Sequence, residues 1–185
     1  GQTMYFRRRV ESSPCEGNSA NISNVVTITV YEIPVSDAGN DSDVCGDSYV
    51  LQAIPSVGIG TWSPVAGLTF SDVNDPNSSV TVAIYGTYTL TWTEDNNSCT
   101  DFATVDLTFY EIPVSDAGAN DSICGLVYDL AAIPSGPWPG QWIIPSGITI
   151  DDINSATAQV TADDYQLYLL KWVENNNGCT DTSEV

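Results

Sequence analysis

Histidine is absent from this chain of 185 residues. Without histidine the chain cannot form a Ser-His-Asp triad or a Cys-His pair, and it lacks the commonest nitrogen ligand of zinc. Two pairs of adjacent carboxylates, Asp151-Asp152 and Asp163-Asp164, are the remaining acid-base candidates. Neighbouring residues on a strand point to opposite faces, so these pairs are poorly arranged to act together. We therefore predict that the chain is not an enzyme.

Positive charge is scarce, because four Lys and Arg residues stand against 24 Asp and Glu residues. Three of the four are Arg7, Arg8 and Arg9, and only Lys171 follows them. Nucleic acid and anionic lipid both need basic side chains to neutralise phosphate, so neither is predicted as a partner. Because Lys171 is the only lysine, a Lys-Asn isopeptide bond cannot recur in each repeat. The acidity favours solubility and cation binding.

Long apolar runs are missing as well. No stretch approaches the roughly 20 apolar residues that cross a bilayer, and the first residues show no signal-peptide pattern. We expect no membrane insertion in this segment. Hydrophobic residues nevertheless make up 42% of the chain, which predicts a folded protein rather than a disordered acidic tail.

The nine residues Tyr-Glu-Ile-Pro-Val-Ser-Asp-Ala-Gly occur twice, at 31–39 and at 110–118. The copies lie 79 residues apart, and later residues follow at nearly the same spacing, with one residue inserted near Trp138. Matched pairs are Cys45 with Cys124, Trp62 with Trp142, Trp92 with Trp172, and Cys99 with Cys179. Such self-similarity is typical of a tandem-repeat protein.

We divide the chain into three parts on this basis. Residues 1–30 are interpreted as the C-terminal strands of a preceding repeat. Residues 31–109 form one repeat, and residues 110–185 form a second repeat whose last strand is missing. Each full repeat is thus a small domain that must bury a modest core.

The residue pattern inside the repeats is that of half-buried β-strands. Tyr88, Leu90 and Trp92 alternate with threonines, and residues 103–109 alternate in the same way. Shorter candidates are residues 49–54, 60–63, 68–70 and 80–84, separated by turn formers. No segment shows a useful apolar period of 3.6, so the predicted fold class is all-β, with a two-sheet sandwich in each repeat.

Five cysteines provide one pair for each full repeat and one residue more. We expect Cys45 to bond Cys99 and Cys124 to bond Cys179, because pairing within a repeat is the simplest solution. Each bond would close a loop of about 55 residues, a contribution of roughly 4 kcal/mol to stability. Cys15 aligns with Cys99, so its partner is expected upstream of residue 1. Structural disulfides indicate an oxidising, extracytoplasmic compartment.

These motifs resemble the PKD-like and immunoglobulin-like tandem repeats of giant cell-surface adhesins of Bacteroidota, including the SprB-type gliding-motility adhesins. The resemblance rests on residues 37–41 followed by Cys45, on residues 60–62 and 86–92, and on residues 95–101. It implies type IX secretion and attachment at the outer surface. Each repeat is expected to carry one intradomain disulfide. Unlike in antibody domains, Cys45 precedes its strand and Cys99 lies in a turn, so the bond is expected to staple one end of the sandwich.

Calcium is the one cofactor that the acidic residues suggest, because it prefers oxygen ligands. The candidate ligands are Asp41, Asp43, Asp47, Asp95 and Asp101, followed by Asp37 and Asp116. The EF-hand pattern fails, since Cys45 and Gln52 occupy ligand positions of that loop. In the alternative interpretation these side chains hold turn geometry through hydrogen bonds to the backbone.

The repeated aromatic residues also allow two interpretations. Trp62, Trp92, Tyr85 and Tyr88, with their counterparts in the second repeat, form either a sugar-binding face or the sandwich core. Their strand alternation favours the core. Trp138 differs, because it lies in the inserted Gly-Pro-Trp-Pro-Gly loop at residues 136–140. It is the candidate for a contact specific to the second repeat, or for a cover over the sandwich end.

The junction between the repeats contains no Gly/Ser spacer. Pro113 fixes its own φ and biases Ile112 to an extended shape, which predicts a stiff connection. We interpret the chain as a non-enzymatic stalk or filament segment of a large secreted cell-surface adhesin, in gliding motility or surface attachment. Its expected partners are neighbouring repeats, surface glycans or other cell-surface proteins. The alternative is a spacer or glycan-binding module of a secreted polysaccharide-degrading enzyme.

Overall fold

The computed structural model describes residues 2–8 and 24–185, which leaves Cys15 outside the described residues. β-branched and aromatic residues fit a pleated, half-buried surface, and they form 15 strands in this part of the chain. The strands are β1 (Gln2–Phe6), β2 (Val26–Val30), β3 (Ser42–Cys45), β4 (Ser48–Val50), β5 (Ile59–Trp62), β6 (Leu68–Phe70), β7 (Ser79–Val82), β8 (Gly86–Asn96), β9 (Cys99–Tyr110), β10 (Val127–Asp129), β11 (Gly140–Ile143), β12 (Ile148–Ile150), β13 (Gln159–Ala162), β14 (Lys171–Asn176) and β15 (Cys179–Glu184). The predicted all-β class is confirmed. Among the described residues no helix has the length and apolarity needed to span a membrane.

Residues 31–109 contain two sheets. One has the strand order β3-β9-β8-β5, and the other has the order β4-β7-β6. Trp62 of β5 packs against Trp92 of β8, with ring centroids 5.1 Å apart. It also stacks on Phe70 of β6, in the opposite sheet, at 6.5 Å. Both tryptophans are fully buried, so aromatic side chains from the two sheets form the centre of the sandwich.

Residues 110–185 build the same kind of core. Their sheets have the orders β11-β14-β15 and β10-β13-β12. Trp142 and Trp172 lie 5.2 Å apart, within a cluster that includes Leu130, Val160 and Leu170. Because these positions match those of the first repeat, the sequence repeat is also a repeat of core packing.

A glycine in each repeat makes room for the inner tryptophan. A Cβ atom added to Gly60 would lie 1.9 Å from Cζ2 of Trp92, and one added to Gly140 would lie 1.9 Å from Cζ2 of Trp172. The indole therefore rests directly on the backbone of the neighbouring strand. The repeated Gly-x-Trp motif thus has a steric reason.

Strand β3 is not predicted by the sequence pattern. It pairs in parallel with the end of β9, with Cys45 opposite Tyr110. The N–H of Gly46 extends this pairing by donating to the carbonyl of Tyr110 at 2.9 Å. Val44 is its one buried apolar residue, and a single such residue cannot show a period of two.

The chain also divides into two compact units, whose limits differ from the repeat limits. One unit comprises Gly1–Asn40, Val50–Val80 and Thr89–Asp106, and the other comprises Asp41–Tyr49, Thr81–Tyr88 and Leu107–Val185. Residues 41–49 thus belong to the same unit as residues 107–185. The assignment of residues 1–30, 31–109 and 110–185 to repeats stays a prediction from the sequence.

Candidate functional site

Residues 32–36, the junction segment of the first repeat, are fixed by the hairpin of β8 and β9. The side-chain amide of Asn96 donates to the carbonyl of Glu32 at 2.8 Å. The N–H of Ser36 donates to the Asp101 carboxylate at 2.8 Å. Pro34, between these two anchors, is buried. The segment is therefore part of the folded repeat and not a free linker.

The same anchors recur in residues 111–115, the junction segment of the second repeat. Asn176 donates to the carbonyl of Glu111 at 2.8 Å, and the N–H of Ser115 donates to Asp181 at 2.8 Å. Pro113 between them is fully buried. The sequence identity of the two segments thus corresponds to identical contacts.

A buried glutamate supports each segment from inside the repeat. Glu94 is only 1% exposed. It accepts hydrogen bonds from the N–H of Ser56 at 2.7 Å and from its hydroxyl at 2.6 Å. The same hydroxyl accepts the N–H of Val35 at 2.9 Å. Ser56 therefore connects the buried carboxylate to the backbone of the junction segment.

Glu174 repeats this arrangement in the second repeat. It accepts the N–H of Ser135 at 2.9 Å and also its hydroxyl, which in turn accepts the N–H of Val114 at 3.1 Å. Trp172 donates its indole N–H to Glu174 at 3.3 Å, which joins the core to the network. Sequence reasoning missed both glutamates. The available signal was a carboxylate at an inward position of an alternating strand, two residues after the inner tryptophan.

The Asp residues considered for calcium mainly hold turns. Asp37 accepts the N–H of Gly39 at 2.9 Å, and Asp116 accepts that of Gly118 at 2.8 Å. Asp95 accepts the N–H of Ser98 at 2.7 Å. Within residues 2–8 and 24–185, no group of three or more His, Cys, Asp or Glu side chains is placed to share a metal ion. The proposed ligands Asp41, Asp43, Asp47, Asp95 and Asp101 therefore form no such group, and hydrogen bonding in turns accounts for Asp37, Asp95 and Asp116.

The cysteine pairing corrects the prediction. Cys45 is bonded to Cys179, which is 134 residues away, and Cys99 and Cys124 are free thiols. Cys99 begins β9, whereas Cys45 lies opposite Tyr110 at the other end of that strand. At about 3.3 Å per residue, the length of β9 separates the two by roughly 36 Å, while bonded cysteines have Cα atoms about 5.5 Å apart. The predicted Cys45–Cys99 bond is therefore excluded by the parallel pairing of β3.

The observed bond follows from the contacts of the second junction segment. Cys179 lies opposite Asn176 in the β14–β15 hairpin, and Asn176 binds the carbonyl of Glu111. Cys45 lies opposite Tyr110, the residue before Glu111. Both cysteines are thus held beside the same two residues, and this also removes Cys179 as the partner predicted for Cys124.

The aromatic candidates separate into core and surface residues. Trp62, Trp92, Trp142 and Trp172 are buried, which confirms the core interpretation. Tyr88 packs edge-on against Phe109, whereas Tyr85 is 43% exposed. Trp138 is partly buried, and its ring lies so close to Gly136 that a Cβ there would come within 2.4 Å. Trp138 thus covers its own loop.

A groove of about 700 Å³ in the second repeat is lined by apolar residues that include Leu130, Tyr168 and Val185. In the first repeat, Tyr88 is the counterpart of Tyr168, and Phe109 covers it with ring centroids 6.0 Å apart. The groove in the second repeat therefore corresponds to the place that Phe109, near the C-terminal end of β9, fills in the first repeat.

No family model and no curated protein matches the chain. Among solved structures it is similar to extracellular domains 3–5 of Drosophila OTK, with a TM-score of 0.51, 12% identity, and coverage of 88% of this chain and 63% of that chain. It is also similar to the N-terminal eight Ig domains of Down Syndrome Cell Adhesion Molecule (DSCAM) isoform 1.30.30, with a TM-score of 0.51, 10% identity, and coverage of 91% and 26%. The chain spans less than two thirds of either structure. At such identities the likeness concerns the fold alone, and it shows that the chain has an immunoglobulin-like β-sandwich fold.

Proposed function

We propose that this chain is a non-enzymatic stalk or filament segment of a large secreted adhesin at the cell surface, outside the outer membrane. Its repeats supply length, and their first partners are the neighbouring repeats of the same chain. Export by the type IX route and a role in gliding motility or surface attachment belong to the same proposal. They rest on the resemblance of the repeat motifs.

The anchoring of the junction segments is the observation that carries this proposal. Asn96 and Asp101 bind one segment, and Asn176 and Asp181 bind the other at the same distances. A Gly/Ser linker would make no such contacts and would behave as a flexible coil. Segments fixed in the same way in each copy support a reproducible junction, which an extended array of repeats needs.

Two further features support a structural role over glycan binding or catalysis. The four repeated tryptophans are buried and cannot stack on a sugar ring. The chain has no histidine, and its net charge of −20 suits a solvated surface that keeps arrays apart.

The proposal predicts that loosening one junction segment widens the range of inter-repeat angles. The variant combines Asn176→Ala with Asp181→Ala in a chain that also carries Cys45→Ser and Cys179→Ser, so that no disulfide restrains the junction. Removing both anchors frees the backbone of Glu111 and Ser115. We expect the distribution of inter-repeat angles to broaden by roughly twofold, because two hydrogen bonds worth about 1 kcal/mol each are lost. Ensemble fits to small-angle X-ray scattering measure this distribution. Glycine at Pro113 is a poorer test, since Pro113 is buried and its loss would also damage the core.

The matched control is Asp152→Ala in the same background. It removes a carboxylate that accepts the N–H of Asn154 at 3.0 Å in a loop of the second repeat. We expect it to leave the scattering unchanged. If the parent chain already shows the breadth of the double variant, the junction is a flexible tether and the stalk proposal fails.

A further inference from the structure

We propose that each junction of the array carries one disulfide between neighbouring repeats, and that Cys99 and Cys124 are the free halves of two more such bonds. The chemical partner of each is the thiol of a matching cysteine in another copy of this repeat. The inference rests on the proposed tandem array and adds covalent links to it.

The observed disulfide provides the pairing rule. Cys45 and Cys124 occupy matching positions of the two repeats, and so do Cys99 and Cys179. Cys45 and Cys124 are therefore Cys45-type cysteines, and Cys99 and Cys179 are Cys179-type cysteines. The bond Cys45–Cys179 joins a Cys45-type cysteine of one repeat to a Cys179-type cysteine of the next repeat. The two free thiols are one of each kind.

Cys99 occupies the same place in its hairpin as the bonded Cys179. Each of the two cysteines begins the second strand of a hairpin. The asparagine three residues earlier donates to a carbonyl of the junction segment at 2.8 Å, so that Asn96 binds Glu32 and Asn176 binds Glu111. Cys99 is thus held beside residues 31–32 as Cys179 is held beside residues 110–111. Cys99 is partly exposed and is therefore accessible to a Cys45-type cysteine of a repeat before residue 31.

Cys124 corresponds to the bonded Cys45 on the other side of a junction. Ile123 and Gly125 around it match Val44 and Gly46 around Cys45. Cys124 is exposed in this structure and is therefore accessible to a Cys179-type cysteine of a following repeat. Together with Cys45–Cys179, this rule accounts for all four cysteines among the described residues.

Each new bond is formed by thiol–disulfide exchange with a small or protein disulfide as the oxidant. The thiolate of Cys124 attacks that disulfide, forms a mixed disulfide and releases one thiol. The second cysteine, as thiolate, then displaces the remaining thiol. Two cysteine thiols are thereby oxidised to one bond, the oxidant is reduced to two thiols, and no further electron acceptor is needed.

The rule has a mechanical consequence. A bond that spans 134 residues is longer than one repeat, so successive loops overlap. Under tension the shortest covalent path crosses each disulfide and then follows the chain only from one Cys179-type cysteine to the next Cys45-type cysteine. This path contains about 25 residues for every two repeats, whereas the reduced chain contains about 160. The fully extended contour length of an oxidised array should therefore be about sixfold shorter than that of the same array after reduction.

The first test uses the 185-residue chain with Cys15→Ser, refolded with reduced and oxidised glutathione. Pairing across the junction leaves two titratable thiols, Cys99 and Cys124, and peptide mapping without reduction finds Cys45 linked to Cys179. Pairing within repeats leaves no thiol and links Cys45 to Cys99. The second result overturns the inference.

The second test supplies the missing partner of Cys124. A further copy of residues 106–185 is appended after Val185, in register because Val185 matches Val105. The added residues 106–109 also provide the strand end that covers Tyr88 in the first repeat. We expect Cys124 to bond the appended copy of Cys179, so that the thiol count stays at two although two cysteines were added.

Cys124→Ser in the extended chain is the control, and it should raise the thiol count to three. The inference is overturned if the appended Cys179 stays free, or bonds the appended Cys124, while Cys124 itself is intact. The result of the disulfide mapping is independent of the scattering experiment on the junction, because the scattering variants carry Cys45→Ser and Cys179→Ser.

Discussion

Replacing Gly140 by alanine is expected to lower the free energy of unfolding of the second repeat by about 3 kcal/mol, at the upper end of the usual cost of overpacking. The new Cβ would meet Cζ2, Cη2 and Cε2 of Trp172 at 1.9 to 2.6 Å. Trp172 cannot move aside easily, because it is buried and lies 5.2 Å from Trp142. Chemical denaturation followed by tryptophan fluorescence measures the effect.

A double-mutant cycle with Trp172→Leu isolates the steric cause. Leucine lacks the six-membered ring that lies over Gly140, so alanine at position 140 should cost much less in that background. Gly60→Ala paired with Trp92→Leu provides the same cycle in the first repeat, where the geometry is identical. An equal cost of Gly140→Ala in both backgrounds would mean that backbone effects, and not the indole, require glycine.

Replacing Glu174 by alanine is expected to destabilise the second repeat by about 3 kcal/mol, because the hydrogen bonds to a buried carboxylate are lost and their donors stay buried. Ser135 loses the acceptor of both its N–H and its hydroxyl, and Trp172 loses the acceptor of its indole N–H. Ser135 in turn accepts the N–H of Val114. Hydrogen exchange at the Val114 amide should therefore accelerate well beyond that of other junction amides.

Two controls separate this role from a general loss of charge. Glu174→Gln keeps one oxygen acceptor and should cost about half as much. Asp129→Ala removes an exposed carboxylate that accepts the Gln159 amide at 2.8 Å, and it should change stability by less than about 1 kcal/mol. If Glu174→Ala leaves Val114 as protected as in the parent chain, the glutamate does not support the junction.

These residues form one continuous connection from core to junction. Gly140 lies under Trp172, Trp172 donates to Glu174, and Glu174 holds Ser135, which binds Val114. Because each link is a direct contact, damage to the core should also reach the segment that precedes the repeat.

Much of the fold could be predicted from residue patterns. The alternation of Tyr88, Leu90 and Trp92 with threonine indicated β8, and the prediction for residues 68–70 coincides with β6. Burial of the repeated tryptophans followed from their place in such strands. Glu94 and Glu174 were missed although they continue the same alternation, because a carboxylate at an inward position is normally taken for a solvated residue until its partner is known.

The sequence by itself determined the repeat, which shows as identity between residues 79 positions apart. It also determined most of the strands and the apolar residues of the core, since the alternation of a strand depends only on neighbours within about ten positions. Only the tertiary structure decided the cysteine pairing. Ser42–Cys45 carries too little apolar pattern to reveal β3, and its parallel pairing with the end of β9 places Cys45 beside Tyr110. Spacing along the chain favoured Cys99 as the partner, but a strand of 12 residues keeps the two apart, and the hairpin of the next repeat brings Cys179 to Cys45 instead.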